Sequence, residues 1–175
     1  MKKYILISVL ILVALLVKAS PVMAKNNVVT SSASLKQITI EDLTLDYRVA
    51  TLSNFLEKYN SPISDYAESF IYWADYYGID WRLVAAISGV ESTFGKRIPP
   101  NSYNAYGWAN GKYVFTSWDD SIRIVSKTLK EKYYDRGANT IPKIARIYAP
   151  PSTTWAWKVE FFMNKIDHLP LEFDF

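Results

Sequence analysis

Between Trp81 and Val90 the chain places Trp81, Leu83, Val84, Ala86, Ile87 and Val90. Wound as a helix, these residues cover most of the circumference and leave no polar face. A helix apolar on all sides has to lie inside its domain with other helices around it. Asp80 is the N-cap expected before it. The surrounding segments carry the amphipathic patterns such a centre requires. Val49, Leu52, Phe55, Leu56 and Tyr59 form a stripe along a helix from Tyr47 to Tyr59. Ser64 should cap a second helix, about Asp65 to Tyr77, closed by Gly78. Ser117 should cap one through about Tyr134, with Trp118, Ile122, Val125 and Leu129 inward and Gly137 beyond its end. Thr140 opens a short helix ending near Tyr148 before Pro150-Pro151. Thr154 opens the last, with Trp155, Val159, Phe162 and Ile166 inward and Pro170 as its stop. The expected fold is mainly α, and no internal repeat is present.

From Phe94 to Thr116 the helical period is lost among Pro99-Pro100, Asn101, Asn104, Gly107 and Gly111. Asn110-Gly111 stands between Tyr106-Gly107-Trp108 and Tyr113-Val114-Phe115. Asn-Gly tolerates the positive φ of a tight hairpin turn, so a small β-hairpin lobe is expected beside the end of the central helix. Its rings, Tyr103, Tyr106, Trp108, Tyr113 and Phe115, have two uses: stacking on sugar faces, or forming the lobe's own small core.

The chain has no cysteine and one histidine, His168. That excludes a thiolate nucleophile and a Ser–His–Asp triad unless His168 serves, and it starves a multi-histidine metal site. No cofactor or metal is implied, and carboxylates are left to carry chemistry. Glu91 is the notable one. It lies one turn beyond Ile87 and two beyond Val84, so it leaves the same face as core residues. The unpaired carbonyls at a helix C-terminus oppose its charge, and Val90 and Phe94 desolvate it. Both effects raise its pKa, as a glycosidase needs in the acid that protonates a leaving oxygen. The alternative is a glutamate that ends its helix in solvent. His168 is expected only as a polar residue near the end of the last helix.

Met1-Lys2-Lys3, the apolar run Tyr4 to Val17 and the small residues of Val22-Met23-Ala24 fit a signal peptide over 1–24, cut after Ala24. About 14 apolar residues fall short of the roughly 20 that span a bilayer, so no stable membrane insertion is expected once it is removed. Residues 25–46 are rich in Ser, Thr and Asn without a sustained period and are expected to be a spacer, with the domain proper over 47–175. The +3 formal charge comes from Lys2, Lys3 and Lys18. From Lys25 onward 17 basic residues face 17 acidic ones, so the concentrated positive field of a nucleic-acid binder is missing.

The run Ile87-Ser88-Gly89-Val90-Glu91-Ser92-Thr93-Phe94-Gly95, followed by Tyr103-Asn104-Ala105-Tyr106-Gly107-Trp108, resembles the lysozyme-like superfamily of peptidoglycan glycan hydrolases. That superfamily includes goose-type lysozymes, lytic transglycosylases and autolysin-type glucosaminidases. Phe115-Thr116-Ser117-Trp118-Asp119-Asp120-Ser121-Ile122 is similar to the glucosaminidase segment after the active-site lobe. Ile144-Ala145-Arg146-Ile147-Tyr148 is similar to the transglycosylase helix that ends in tyrosine. The likeness covers about Trp81 to Phe162. It implies a lysozyme-like helical domain, Glu91 as general acid and base, and substrate contacts from Ser92, Tyr106, Trp108 and Tyr148. It further implies peptidoglycan strands as partner and a secreted protein of the cell wall or periplasm. The chain departs from the transglycosylase pattern at Tyr106-Gly107-Trp108-Ala109, where Gly-Leu-Met-Gln is usual, and at Ala149, where asparagine follows the tyrosine.

From Ser92 to Trp118 there is no Asp or Glu. A two-carboxylate glycosidase needs a partner roughly 5–9.5 Å from the acid, and the nearest in sequence are Asp119 and Asp120, whose first-turn position also suits helix capping. A single-acid enzyme, a lytic transglycosylase or muramidase, is therefore expected ahead of a two-carboxylate glucosaminidase. A wall-binding protein without catalysis is the rival from another class.

Overall fold

The computed structural model describes residues 46–167. The signal segment, the spacer up to residue 45, His168 and Pro170 lie outside the described residues. Helices α1 (Tyr47–Lys58), α2 (Ala67–Tyr77) and α3 (Leu83–Ser92) come first, with a 3-10 turn at Ser64–Tyr66 leading into α2. An irregular lobe separates them from α4 (Trp118–Thr128), α5 (Ile141–Tyr148) and α6 (Trp155–Asp167). The protein is mainly helical, and no helix among the described residues is long and apolar enough to cross a membrane.

Helix α3 is the interior one, as its composition demands: Leu83 through Gly89 are buried without a break. It packs against α6, while α2 packs on α4, and α1 touches both α2 and α6. Each fully buried Leu, Val or Ile contributes roughly 1.5–3 kcal/mol, so Leu83, Val84 and Ile87 alone anchor the bundle around α3. The caps follow from chemistry at the helix ends. Asp46 accepts from Arg48 N–H ahead of α1, and Asp80 accepts from Arg82 N–H one residue before α3 begins. Ser117 Oγ accepts from Asp120 N–H, and Gly78 ends α2 in the left-handed region. Ser152 Oγ, rather than the expected Thr154, receives the N–H groups of Thr154 and Trp155 at the start of α6. The helix expected to run to Tyr134 changes winding at Leu129, where a π-helical stretch (Leu129–Tyr133) and a 3-10 turn (Tyr134–Arg136) complete it.

After α3 the chain reverses through Thr93, Phe94 and Gly95, three consecutive residues with positive φ. For the two that carry a Cβ this conformation costs about 1–2 kcal/mol each. The offset comes from Phe94, which is fully buried and packs edge-on against Phe55 and Phe162 with ring centroids 5.3 and 5.0 Å away. Gly89 makes room for it, since a Cβ there would lie 2.5 Å from the Phe94 ring.

The expected β-hairpin is not formed, and the described residues contain no strand. The turn itself is present: Asn110 and Gly111 both have positive φ, and Tyr113 N–H reaches the Trp108 carbonyl at 3.3 Å. Asn104 takes up part of the hydrogen bonding of this segment. Its buried amide donates to the carbonyls of Trp108 (2.9 Å) and Tyr113 (3.0 Å), and its oxygen accepts from Trp108 N–H (3.1 Å). One side chain thus satisfies backbone groups that cross-strand partners would otherwise take. Further positive φ values at Asn101, Tyr103, Gly107 and Ala109 coil the lobe into successive turns.

Candidate active site

Glu91 stands in the last turn of α3, half-buried where the bundle meets the lobe. Its two oxygens have different surroundings. Oε1 accepts a hydrogen bond from the indole N–H of Trp155 at 2.7 Å. Oε2 lies against the backbone of Gly107, where a Cβ would stand only 2.9 Å from it. Gly107 also has φ +70°, so position 107 calls for glycine on two counts, backbone conformation and closeness to the carboxyl. Burial is the larger influence on Glu91 and pushes its pKa above the ordinary carboxylate range. The Trp155 hydrogen bond, which favours the anion, offsets only part of that rise.

Tyr148, at the end of α5, closes the frame. Its ring stacks on Trp155 with centroids 4.9 Å apart and planes 25° from parallel, and its hydroxyl donates to the Tyr106 carbonyl at 2.8 Å. Burial, then the charge of Glu91, holds that hydroxyl well above its usual pKa, so it stays protonated as a donor. A cavity of about 640 Å³ opens beside these groups, lined from the lobe by Gly107, Trp108, Ala109 and Asn110 and from the helices by Glu91, Val125, Thr128, Leu129, Tyr133 and Tyr148. Among the described residues that line it, Glu91 is the one carboxylate.

Of the residues singled out in the sequence, Glu91, Trp108 and Tyr148 are brought together at this cavity. Tyr106 borders it too, but its side chain is 1% exposed and packs toward Phe115, so it offers no open ring face. Its hydroxyl is buried without a hydrogen-bond partner of good geometry, beside Ser121, whose own proton goes to the Trp118 carbonyl. Ser92 is 3% exposed and does not line the cavity. Its hydroxyl lies 2.9 Å from the Ala105 carbonyl and 3.0 Å from that of Ser88, with one proton between them, and accepts from Gly95 N–H at 2.9 Å. Ser92 is therefore a clasp between the helix end and the lobe. Of the remaining lobe rings, Phe115 is buried, Trp108 and Tyr113 pack against it, and Tyr103 sits edge-on to Trp118.

Asp119 and Asp120 do not line the cavity. Asp119 accepts from the indole N–H of Trp73 at 3.0 Å. Asp120 accepts from Thr116 N–H and pairs with Arg123 at 2.8 Å. Burial works to raise the Asp120 pKa, but the Arg123 hydrogen bond, the Thr116 N–H and the Arg123 charge outweigh it and hold the carboxyl below its ordinary value. Both acids are committed to structure, one tying α2 to α4 and the other fixing the start of α4.

Among the site residues that the sequence does not mark as such are Gly107, Trp155, Thr128 and Tyr133. Trp155 reads there as one more inward ring of α6; the available signal was its indole N–H, which needs a partner once buried. Thr128 and Tyr133 fall near or beyond the end of α4's regular stripe, and the π-helical stretch carrying Tyr133 is not visible in the spacing of apolar residues. Among the described residues no three potential metal-ligating side chains come together. Compared with models of known protein families the chain matches none, and no curated protein matches it in sequence.

Proposed function

We propose that this protein is exported and cleaves the β-1,4 glycosidic bonds of peptidoglycan with Glu91 as its single acid and base, acting as a lytic transglycosylase or muramidase on a lysozyme-like domain. The observation that carries the proposal is the setting of Glu91: a carboxyl pushed toward its protonated form, at the wall of a cavity to which the described residues bring no second carboxylate. In the proposed reaction the proton of Glu91 passes to the leaving glycosidic oxygen as the bond from that oxygen to the sugar C1 breaks. The substrate's own N-acetyl group stabilises the positive charge left on the sugar. The Glu91 carboxylate then takes a proton from the muramoyl 6-hydroxyl as its oxygen bonds to C1, giving an anhydro end, or from water as its oxygen bonds to C1, giving a reducing end. Trp108 and Tyr133 supply aromatic surface to the wall beside Glu91, where a sugar face would stack.

Mass spectrometry of the soluble products from purified peptidoglycan tests this. Anhydromuramoyl or reducing muramoyl ends are expected, absent with Glu91→Gln. Reducing glucosaminyl ends would move the protein to the glucosaminidase class. Binding to walls without any soluble product would leave it a wall-binding protein.

A further inference from the structure

We infer that Trp155 is a positioning residue: its indole N–H holds Glu91 Oε1 as an acceptor and so leaves the dissociable proton to Oε2, the oxygen beside Gly107. The inference rests on glycan cleavage by Glu91 for one of its two readouts and is independent of it for the other.

An indole nitrogen only donates. A protonated carboxyl has one oxygen that carries hydrogen and one that is the better acceptor, so a donor-only group at 2.7 Å selects Oε1 as the acceptor. The choice is enforced by packing. Trp155 is 4% exposed, and Glu91 is the hydrogen-bond partner of its ring nitrogen. The Tyr148 ring lies over the indole, and Ser152 holds the Trp155 backbone N–H at 3.1 Å. The indole is thus fixed on its face and at its backbone, and any turn of the Glu91 carboxyl short of a half-turn, which only exchanges its two oxygens, leaves a buried N–H unpaired. Gly107 completes the arrangement by placing no side chain over Oε2. After proton transfer the same N–H stabilises the carboxylate that remains.

Trp155→Phe removes the donor and keeps a ring under Tyr148. The first readout is the Trp155 indole resonance in a proton–nitrogen correlation spectrum of the purified protein, assigned as the one of six Trp signals that this variant loses. In the wild type it should shift with pH as Glu91 ionises, and in Glu91→Gln it should not. The second readout is the pH profile of wall cleavage. Losing a donor that favours the anion raises the Glu91 pKa, so the basic limb should move up by about one pH unit. With the carboxyl no longer oriented, the rate on the acidic plateau should fall roughly tenfold or more. A tryptophan that only fills space would lower stability and rate but leave the limb in place. An indole signal that ignores pH, or a limb that stays or moves down, overturns the inference. If Trp155→Phe does not fold, the wild-type and Glu91→Gln titrations decide the matter alone, the signal then being assigned through its sequential neighbours. If the wild type releases no glycan product while the indole titrates, the glycosidase proposal falls and the pairing of Trp155 with Glu91 stands.

Discussion

Replacing Gly107 by alanine inserts one methyl group against the carboxyl of Glu91. The new Cβ would lie 2.9 Å from Glu91 Oε2, with the carboxyl carbon 3.7 Å away. Carbon and oxygen settle at roughly 3.3 Å or more, so about half an ångström has to be found. The Gly107 backbone has little freedom to yield, because the Tyr106 carbonyl before it receives the Tyr148 hydroxyl and Trp108 after it is held by Asn104. Glu91 has to move, and its own restraint is the Trp155 hydrogen bond. A misplacement near 1 Å costs catalysis on the order of a hundredfold, so half of that predicts a loss of about tenfold, plus whatever access to Oε2 the methyl blocks. The fold suffers less: an alanine at φ +70° costs about 1–2 kcal/mol. Urea unfolding together with the initial rate of wall-turbidity loss separates the two effects. A variant within threefold of wild-type rate would show that Oε2 is not the working oxygen and that contact with Gly107 is incidental.

Glu91→Gln should abolish cleavage by a hundredfold or more while keeping an acceptor for Trp155 and an intact fold by circular dichroism. Because the folded-state pKa of Glu91 is raised, its contribution to stability is fully present below the free value of about 4.3 and is lost as pH rises through the folded value. Unfolding curves at several pH values should therefore show the wild type losing ground to Glu91→Gln as pH rises, and a constant difference would contradict the raised pKa. Asp119→Asn and Asp120→Asn should each leave cleavage within a few-fold of wild type and cost no more than about 1 kcal/mol; a hundredfold loss in either, with the fold intact, would make that residue a second catalytic carboxylate. Asp120 has the opposite linkage: its lowered pKa contributes stability above the free value of about 3.9 that disappears as pH falls through the folded one. Ser92→Ala should destabilise by about 1–2 kcal/mol by unfastening the lobe from α3, and equal rates and stability would show that the clasp does nothing.

The helices were legible because burial imposes a period. α3 follows from an apolar circumference, and Gly78 and Ser117 mark boundaries by backbone chemistry that is local. The lobe was misread for a reason equally physical. Asn-Gly predicts a turn, and the turn exists, but whether flanking residues then pair as strands depends on competition for their carbonyls. Asn104, four residues from Trp108 and nine from Tyr113, binds two of those carbonyls, while the Trp108 carbonyl also receives the Tyr113 N–H. A single polar side chain leaves no periodic trace. The π-helical stretch at Leu129–Tyr133 escaped likewise, since one widened turn changes the positions of Leu129 and Tyr133 without altering which residues are apolar.

For the site, the sequence exposes the acid more readily than the groups that govern it. Glu91 is conspicuous as a charge on an apolar face, and that desolvation alone accounts for the direction of its pKa. Its partners arrive from 16 residues away at Gly107, 57 at Tyr148 and 64 at Trp155, all counted from Glu91, and their relevance is set by tertiary approach. Trp155 shows how such a partner is disguised. Its burial and its spacing with Val159 and Ile166 belong to the core stripe of α6, while the one polar atom of the same side chain serves the site. A buried indole, tyrosine or asparagine therefore carries two messages. The apolar body tells which face is inside, and the polar atom demands a partner that the period does not name. In this chain Asn104, Tyr148 and Trp155 each answer that demand at the border between bundle and lobe, which is where Glu91 emerges.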